Sequence, residues 1–436
     1  MPAVTLGSAS LLMLIVVCAV LPGAATTGTP AGSDNGQTPT ADVRPHEPLT
    51  LERALELAEQ YSPRLRAANA QTEGARAGIV SARAYPNPDL TLIGGNQRAR
   101  LTGAVPGAVQ IYSFAQPLEL PAVRRSRIQG AEYGRESSEF AVAEARLDVR
   151  AQVKQAFYEV LRRKGEVELA RENLKLIEDL QRRIAVQVQV GEAARLELTR
   201  ANAEVATART MVRGAQLQLV SSISGLRAAI SAPLDVNLEP EGQLDPPQIL
   251  PPLDALRNDV LGRHPTLAQA KAEISRAQAR LANEEALRMP QPVLRTEYER
   301  QPDLGYIRVG VYFPLPLWNR RKGEIGQAVA AVRQASATAD QRRLEITAEL
   351  ERAYGQYQIA SQQVAAFEQG ILLGAEAALR AAEAAYRFGE RGIIEVLDAQ
   401  RVLRGARMDF LNAQFDRQAA LIELERLRAV DPVQKP

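Results

Sequence analysis

Two stretches of the chain repeat apolar residues every seven positions. Val153, Val160, Val167 and Leu174 do so in the first, and Leu350, Tyr357, Val364 and Ile371 in the second. Seven-residue spacing keeps one seam of a helix turned toward a partner in a left-handed supercoil. Prolines frame both stretches: none lies between Pro121 and Pro233, nor between Pro316 and Pro432. Interior prolines break helices, and both gaps are dense in Ala, Leu, Glu, Arg and Gln, all strong helix formers. The pattern predicts helices over 123–187 and 320–386, each ~90–100 Å long at 1.5 Å per residue. A turn at Gly191 or Gly389 then reverses the chain into a returning helix.

A second period appears ahead of the long helices. Over 293–299, Leu294, Thr296 and Tyr298 alternate with Arg295, Glu297 and Glu299. Farther on, Ile307, Val309, Val311 and Phe313 alternate with Tyr306, Arg308, Gly310 and Tyr312. An apolar face against a charged face at period two is the pattern of a membrane-barrel strand. The earlier pair, 90–93 and 109–115, alternates less regularly, with Leu90, Leu92 and Ile111 as its apolar positions. Four strands are too few to close around water, and open edges cannot face lipid. Membrane strands would therefore need several chains to share one barrel, and three copies supply twelve strands.

The two halves correspond. Val153 and Leu350 lie 197 positions apart, as do Gln116-Pro117-Leu118 and Phe313-Pro314-Leu315. Val190-Gly191 and Phe388-Gly389 lie 198 apart, Ser62-Pro63 and His264-Pro265 lie 202 apart, and Pro86 and Pro290 lie 204 apart. The reading is a tandem duplication whose drift comes from small loop insertions. Each half opens with short helices, at 50–61 and 64–84 or 252–263 and 266–288. The expected layout is a first repeat over 49–235, with strands near 89–116, a linker over 236–251, a second repeat over 252–430, with strands near 292–314, and a tail over 431–436. The apolar run 11–21, followed by Pro22, Gly23, Ala24 and Ala25, reads as a signal peptide cleaved after Ala25, with 26–48 a linker. Cys18 follows Val17 rather than a small residue, and is read as part of the signal, not a lipidation site.

Composition narrows the function. The 53 Lys and Arg nearly balance the 51 Asp and Glu, so charge gives no reason to propose a nucleic-acid partner. His46, His264 and Cys18 are the sole residues of their types. Histidine triads, cysteine zinc sites and disulfide frameworks are thereby removed. No enzyme, metal site or cofactor is expected.

The stretch 386–400, beginning Tyr386-Arg387-Phe388-Gly389, resembles the second periplasmic hairpin tip of TolC-family outer-membrane efflux proteins. The stretch 190–201 is similar to the first tip. The phrases at 116–120 and 314–325 resemble the heavy-metal, CzcC/CusC-like branch. The resemblance implies a mainly α-helical homotrimer: a twelve-stranded β-barrel in the Gram-negative outer membrane, continued by a long periplasmic α-helical barrel. It implies as partners a periplasmic membrane-fusion adaptor, an inner-membrane RND pump and outer-membrane lipid. By match to the tips, Glu395 and Asp398 form a periplasmic acidic ring, and Glu197, Tyr386 and Arg391 a gate latch with an Arg391–Glu197 pair. Val190, Gly191, Phe388 and Gly389 dock the adaptor. The implied function is a passive exit for pumped heavy-metal cations, with drugs or other small molecules open as cargo. The competing reading is a non-conducting extracytoplasmic coiled coil that tethers envelope layers.

Overall fold

The computed structural model describes residues 49–98, 103, 105–233, 239–245 and 250–429. The expected signal, linker and tail, with Cys18, lie outside them. The first half opens with α1, Leu51–Tyr61, and α2, Pro63–Arg83, then β1, Asp89–Gln97, and β2, Gly107–Pro117. The long helix α3, Pro121–Gln189, and its return α4, Arg195–Ile230, complete it. The second half repeats the order: α5, Leu253–Arg263; α6, Pro265–Ala286; β3, Val293–Arg300; and β4, Gly305–Tyr312. Its long arm is α7, Lys322–Ala366, then a π-helical turn, Phe367–Ile371, then α8, Leu372–Arg387; α9, Ile393–Arg428, returns.

Helix starts follow local chemistry. Proline fills the first position of α2 and α6, where no backbone N–H partner is needed. The Ser62 hydroxyl accepts a hydrogen bond from the Leu65 amide at 3.4 Å, and His264 Nδ1 accepts from the Thr266 amide at 3.2 Å. Both caps satisfy orphan donors of the first turn. The heptad seams become the core over most of their length: Val153, Val160, Val167, Leu350 and Val364 are buried, Leu174 and Tyr357 are half-buried, and Ile371, in the π-turn, is exposed instead. Ala201, Ala208, Ala353 and Ala360 are also buried along the long helices and their returns, so small side chains let these helices approach closely.

The second arm was expected as one helix over 320–386. Instead it begins at Lys322 and is interrupted by the π-turn. That interruption relocates one of the expected loop insertions. The offset between halves is 197 at Val167 and Val364 but 198 at Val190 and Phe388. The π-turn falls inside this interval and houses one extra residue within a helix. The larger drift earlier in each half does fall where a loop was expected: β1 and β2 are separated by nine residues, β3 and β4 by four.

The strands form one antiparallel sheet in the order β1-β2-β3-β4. Register sorts its faces. Leu90, Phe114, Thr296 and Val309 align across the sheet, as do Leu92, Tyr112, Tyr298 and Ile307. On the opposite face Arg308 donates to Glu297 and Glu299, each at 2.6 Å. The face assignments made for 293–313 hold within the sheet. Ile111 does not join Leu90 and Leu92; it aligns with Ile93 and Glu299 on the charged side. Among the described residues the outer edges of β1 and β4 pair with no other strand. Among the described residues no helix is long and apolar enough to cross a membrane.

A clasp joins the start of the described chain to the link between halves. The Leu49 amide donates to Glu239 O at 3.0 Å, and the Glu241 amide donates to Leu49 O at 3.2 Å. Lys164 Nζ on α3 donates to Pro240 O at 2.9 Å. Arg417 on α9 holds the buried Asp245 carboxylate in an ion pair.

Candidate functional site: the two hairpin tips

The 69 residues of α3 place its C-terminal end ~100 Å along the helix from its junction with the sheet. There the two halves turn identically. Val190 caps α3 and Gly191 takes φ 80°; Phe388 caps α8 and Gly389 takes φ 73°. The Glu192 amide donates to Gln187 O at 2.8 Å, and the Glu390 amide to Ala385 O at 2.9 Å. Gly191 and Gly389 donate to Val188 O at 3.3 Å and Tyr386 O at 3.1 Å. This paired closure satisfies the last carbonyls and requires a left-handed residue, which glycine supplies without a Cβ penalty. Val190 and Phe388 are thrust into solvent, Phe388 at 81% exposure.

One apolar cluster ties the hairpins together. Ile177, Leu180 and Ile184 of α3, Leu379 of α8, and Ile393 and Val396 of α9 are buried in it. Glu395 and Asp398, three residues apart in the first turns of α9, point away from that core and are exposed. Position in the first turn of α9 favours the negative charge of Glu395.

The predicted latch residues divide into two sets. The Tyr386 hydroxyl lies 2.9 Å from Gln187 Oε1 and 3.4 Å from Glu197 Oε2, so its proton is offered between α3 and α4. Burial, and then the Glu197 carboxylate, push the Tyr386 hydroxyl above its ordinary value, so it remains a donor at neutral pH. The Arg391–Glu197 pair is not formed within the chain. Arg391 instead lies 4.0 Å from Glu395, four residues ahead on its own hairpin. The reason is positional: Arg391 meets Glu395 one turn ahead on its own hairpin, while Glu197, the counterpart of Glu395 198 residues earlier, faces the Tyr386 hydroxyl.

Sequence reasoning missed Gln187, the nearer partner of Tyr386; its one signal is a polar residue between Val186 and Val188. It also missed the ion pair between Arg401 of α9 and Glu204 of α4, which crosses between hairpins. Among the described residues, no group of His, Cys, Asp and Glu could hold a metal ion.

The chain matches the model of the family described as outer membrane efflux protein twice, over residues 54–232 and 256–429. It is 30% identical over 406 residues to the cobalt-zinc-cadmium resistance protein CzcC of Cupriavidus metallidurans, covering 91% of this chain and 94% of that protein. The nickel-cobalt-cadmium resistance protein NccC of Alcaligenes xylosoxydans xylosoxydans is 27% identical, covering 72% of this chain and 70% of its own. Among solved structures, CusC superposes with a TM-score of 0.72 at 19% identity, over 87% of this chain and 91% of that one. VceC of Vibrio cholerae gives 0.74 at 18% identity, over 87% and 96%. Sheet, arms and tips thus recur in the fold of known outer-membrane channels, and each half carries its own family match. The chain belongs to the outer membrane efflux protein family, whose members lie in the Gram-negative outer membrane and extend large helical portions into the periplasm.

Proposed function

We propose that three copies of this chain, itself a tandem duplication, close one twelve-stranded barrel and continue it as a helical tunnel. One observation carries this reading: a four-stranded sheet with an apolar face and two outer edges that no strand among the described residues covers. Backbone groups cannot remain unpaired in lipid. Pairing β1 of one copy with β4 of the next satisfies both edges and turns the Arg308, Glu297 and Glu299 network toward a wet lumen. The tether reading gives no reason for such a sheet, and membership of an efflux family sets it aside.

The channel is the passive outer component of a tripartite system driven by an inner-membrane RND pump. Cargo choice belongs to the pump. The resistance named for the relatives CzcC and NccC favours heavy-metal cations as cargo here. Val190, Gly191, Phe388 and Gly389 form the knobs on which a helical adaptor docks. Three copies of Glu395 and Asp398 place six carboxylates at the mouth and favour cations. Arg391 moderates that charge through Glu395.

Tyr386 is the latch. Moving the second hairpin away from the first breaks the hydrogen bond that the single Tyr386 proton shares between Gln187 and Glu197, a bond contributing about 0.5–1.5 kcal/mol net. Adaptor binding offsets that loss and shifts the population toward open. Planar-bilayer recording tests the scheme. Tyr386→Phe raises single-channel conductance severalfold, and Glu395→Gln with Asp398→Asn moves the reversal potential toward zero in a salt gradient. A stable monomer in lipid, or conductance untouched by Tyr386→Phe, overturns the assembly or the latch respectively.

A further inference from the structure

The end of the sheet from which the long helices depart has a surface that the channel scheme does not use. The register places Asp89, Pro117, Val293 and Tyr312 at this end. Every connection here exposes a large apolar side chain: Tyr85 before β1, Leu118 after β2, Met289 before β3, and Trp318 after β4. The last connection is the heaviest. Leu315 and Leu317 are exposed beside Trp318, which at 92% exposure touches almost nothing in its own chain. Isolated exposed apolar residues need no explanation, but a contiguous set around one rim does.

The Trp318 loop is nonetheless built. The Arg321 amide donates to Asn319 Oδ1 at 2.9 Å, and its guanidinium pairs with Glu284 of α6. Arg321 itself takes φ 54°, a left-handed conformation that the loop maintains. These contacts leave Arg320 and Lys322 exposed on either side, with no ion pair among the described residues. Arg125, near the start of α3, and Arg288, on the connection before β3, are exposed nearby. Of the local acids, Glu119 is neutralised by Arg127 and Glu284 by Arg321, which leaves Asp89, Glu285 and Glu324. The rim therefore combines apolar bulk with a local excess of positive charge.

We propose that this rim seats the protein on the periplasm-facing leaflet, Trp318 lying at the headgroup level while Arg320 and Lys322 hold an anionic phospholipid headgroup. The proposal rests on the outer-membrane placement. Two observations select lipid as the occupant. The exposed side chains continue the apolar face of Ile307, Val309 and Val311 through Phe313 and Leu315, and the flanking charge complements an anionic headgroup. The eight residues of β3 span roughly 25 Å along the strand, so its lower end meets the boundary of the hydrocarbon layer. Tryptophan, apolar in body with one N–H donor, favours that boundary. Lys and Arg near an anionic surface each contribute about 1 kcal/mol.

Trp318 is the sole tryptophan, so its emission reports one position without labelling. The full chain is reconstituted in phosphatidylcholine vesicles containing one-third phosphatidylglycerol, with bromine on the acyl chains of one lipid or the other. The expected result is that bromine near the headgroup quenches at least twice as strongly as bromine near the chain end. At equal mole fraction, brominated phosphatidylglycerol quenches at least twice as strongly as brominated phosphatidylcholine. The combined Arg320→Gln and Lys322→Gln variant brings that ratio to about one, and Arg320→Lys alone retains it. Equal quenching by both lipids in the natural sequence overturns the headgroup seat. Quenching by aqueous acrylamide alone overturns the membrane contact. Shielding from lipid and acrylamide alike assigns Trp318 to a contact with a second copy and also overturns it. Conductance measured on the same vesicles separates the failures: a conducting channel with an unquenched Trp318 sinks only this seat, whereas no conductance sinks the channel reading.

Discussion

The first long arm, α3, runs 69 residues without interruption, whereas its counterpart is α7, a π-turn of five residues and α8. Both arms end in the same glycine turn with the same hydrogen bonds. An extra residue in a helix rotates everything beyond it by about 100°, which would carry Tyr386 away from Gln187 and Glu197. The π-turn takes up that residue locally and preserves the phase of the tip. At the tips the halves then diverge in chemistry. Tyr386 stands where the first half has Val188, Asp398 where it has Arg200, and Arg391 where it has Ala193. Equivalent backbones thus carry unlike side chains, the second hairpin holding a tyrosine hydroxyl, an arginine and an aspartate that the first lacks at the matching positions.

The comparison can be broken most forcefully at the seams. Leu350→Ala should cost ~2–5 kcal/mol as a buried truncation, and its counterpart Val153→Ala about 1 kcal/mol less, by one fewer carbon. Thermal unfolding followed by circular dichroism checks the order; a reversed order would show that the second arm is the looser one. Gly191→Ala and Gly389→Ala should each cost ~1–2 kcal/mol, because a side chain opposes positive φ. Nearly equal losses sharpen the equivalence of the turns. Deleting Gly370 should restore α-helical bonding through the π-turn and slow amide exchange there about tenfold, with Tyr386 still bonded. Loss of the tip contacts would instead mean that the π-turn does not set the phase.

The smallest effect near neutrality belongs to His264, the counterpart of Ser62. Burial, and then the Arg426 guanidinium, lower its pKa from 6.5 to about 4, against the opposing pull of Asp148. Its neutral ring accepts from Thr266. The unfolded chain binds a proton more readily than the folded one, so stability is fullest above pH 6.5 and declines as pH falls toward 4. At pH 7 the difference amounts to about 0.2 kcal/mol. His264→Ser should flatten the stability profile between those values, measured by denaturant titration.

Much of the architecture was legible because it depends on punctuation and period. Ser62-Pro63 and His264-Pro265 mark helix starts by cap and ring, and alternation over 293–313 fixed a sheet face before pairing was known. The π-turn was harder to see, since Phe367, Gln369 and Ile371 suit an ordinary helix; only the step in offset betrayed it. Ile111 was misplaced because the irregular first hairpin gives no face without its partner's register. At the tip, spacing brought out Tyr386, Glu395 and Asp398 through their likeness to known tips. It could not give the contact with Gln187, nor the partner of Arg391, because both depend on how separate helices meet.

The clasp between Leu49 and Glu239–Glu241 has a consequence for biosynthesis. It ties together positions some 190 residues apart, and closing so long a loop is entropically unfavourable. During synthesis the stretch around Leu49 must wait unbuckled until the connecting segment around Glu239 has followed it. The first half is then the longer exposed, and the second is born to a partner already waiting.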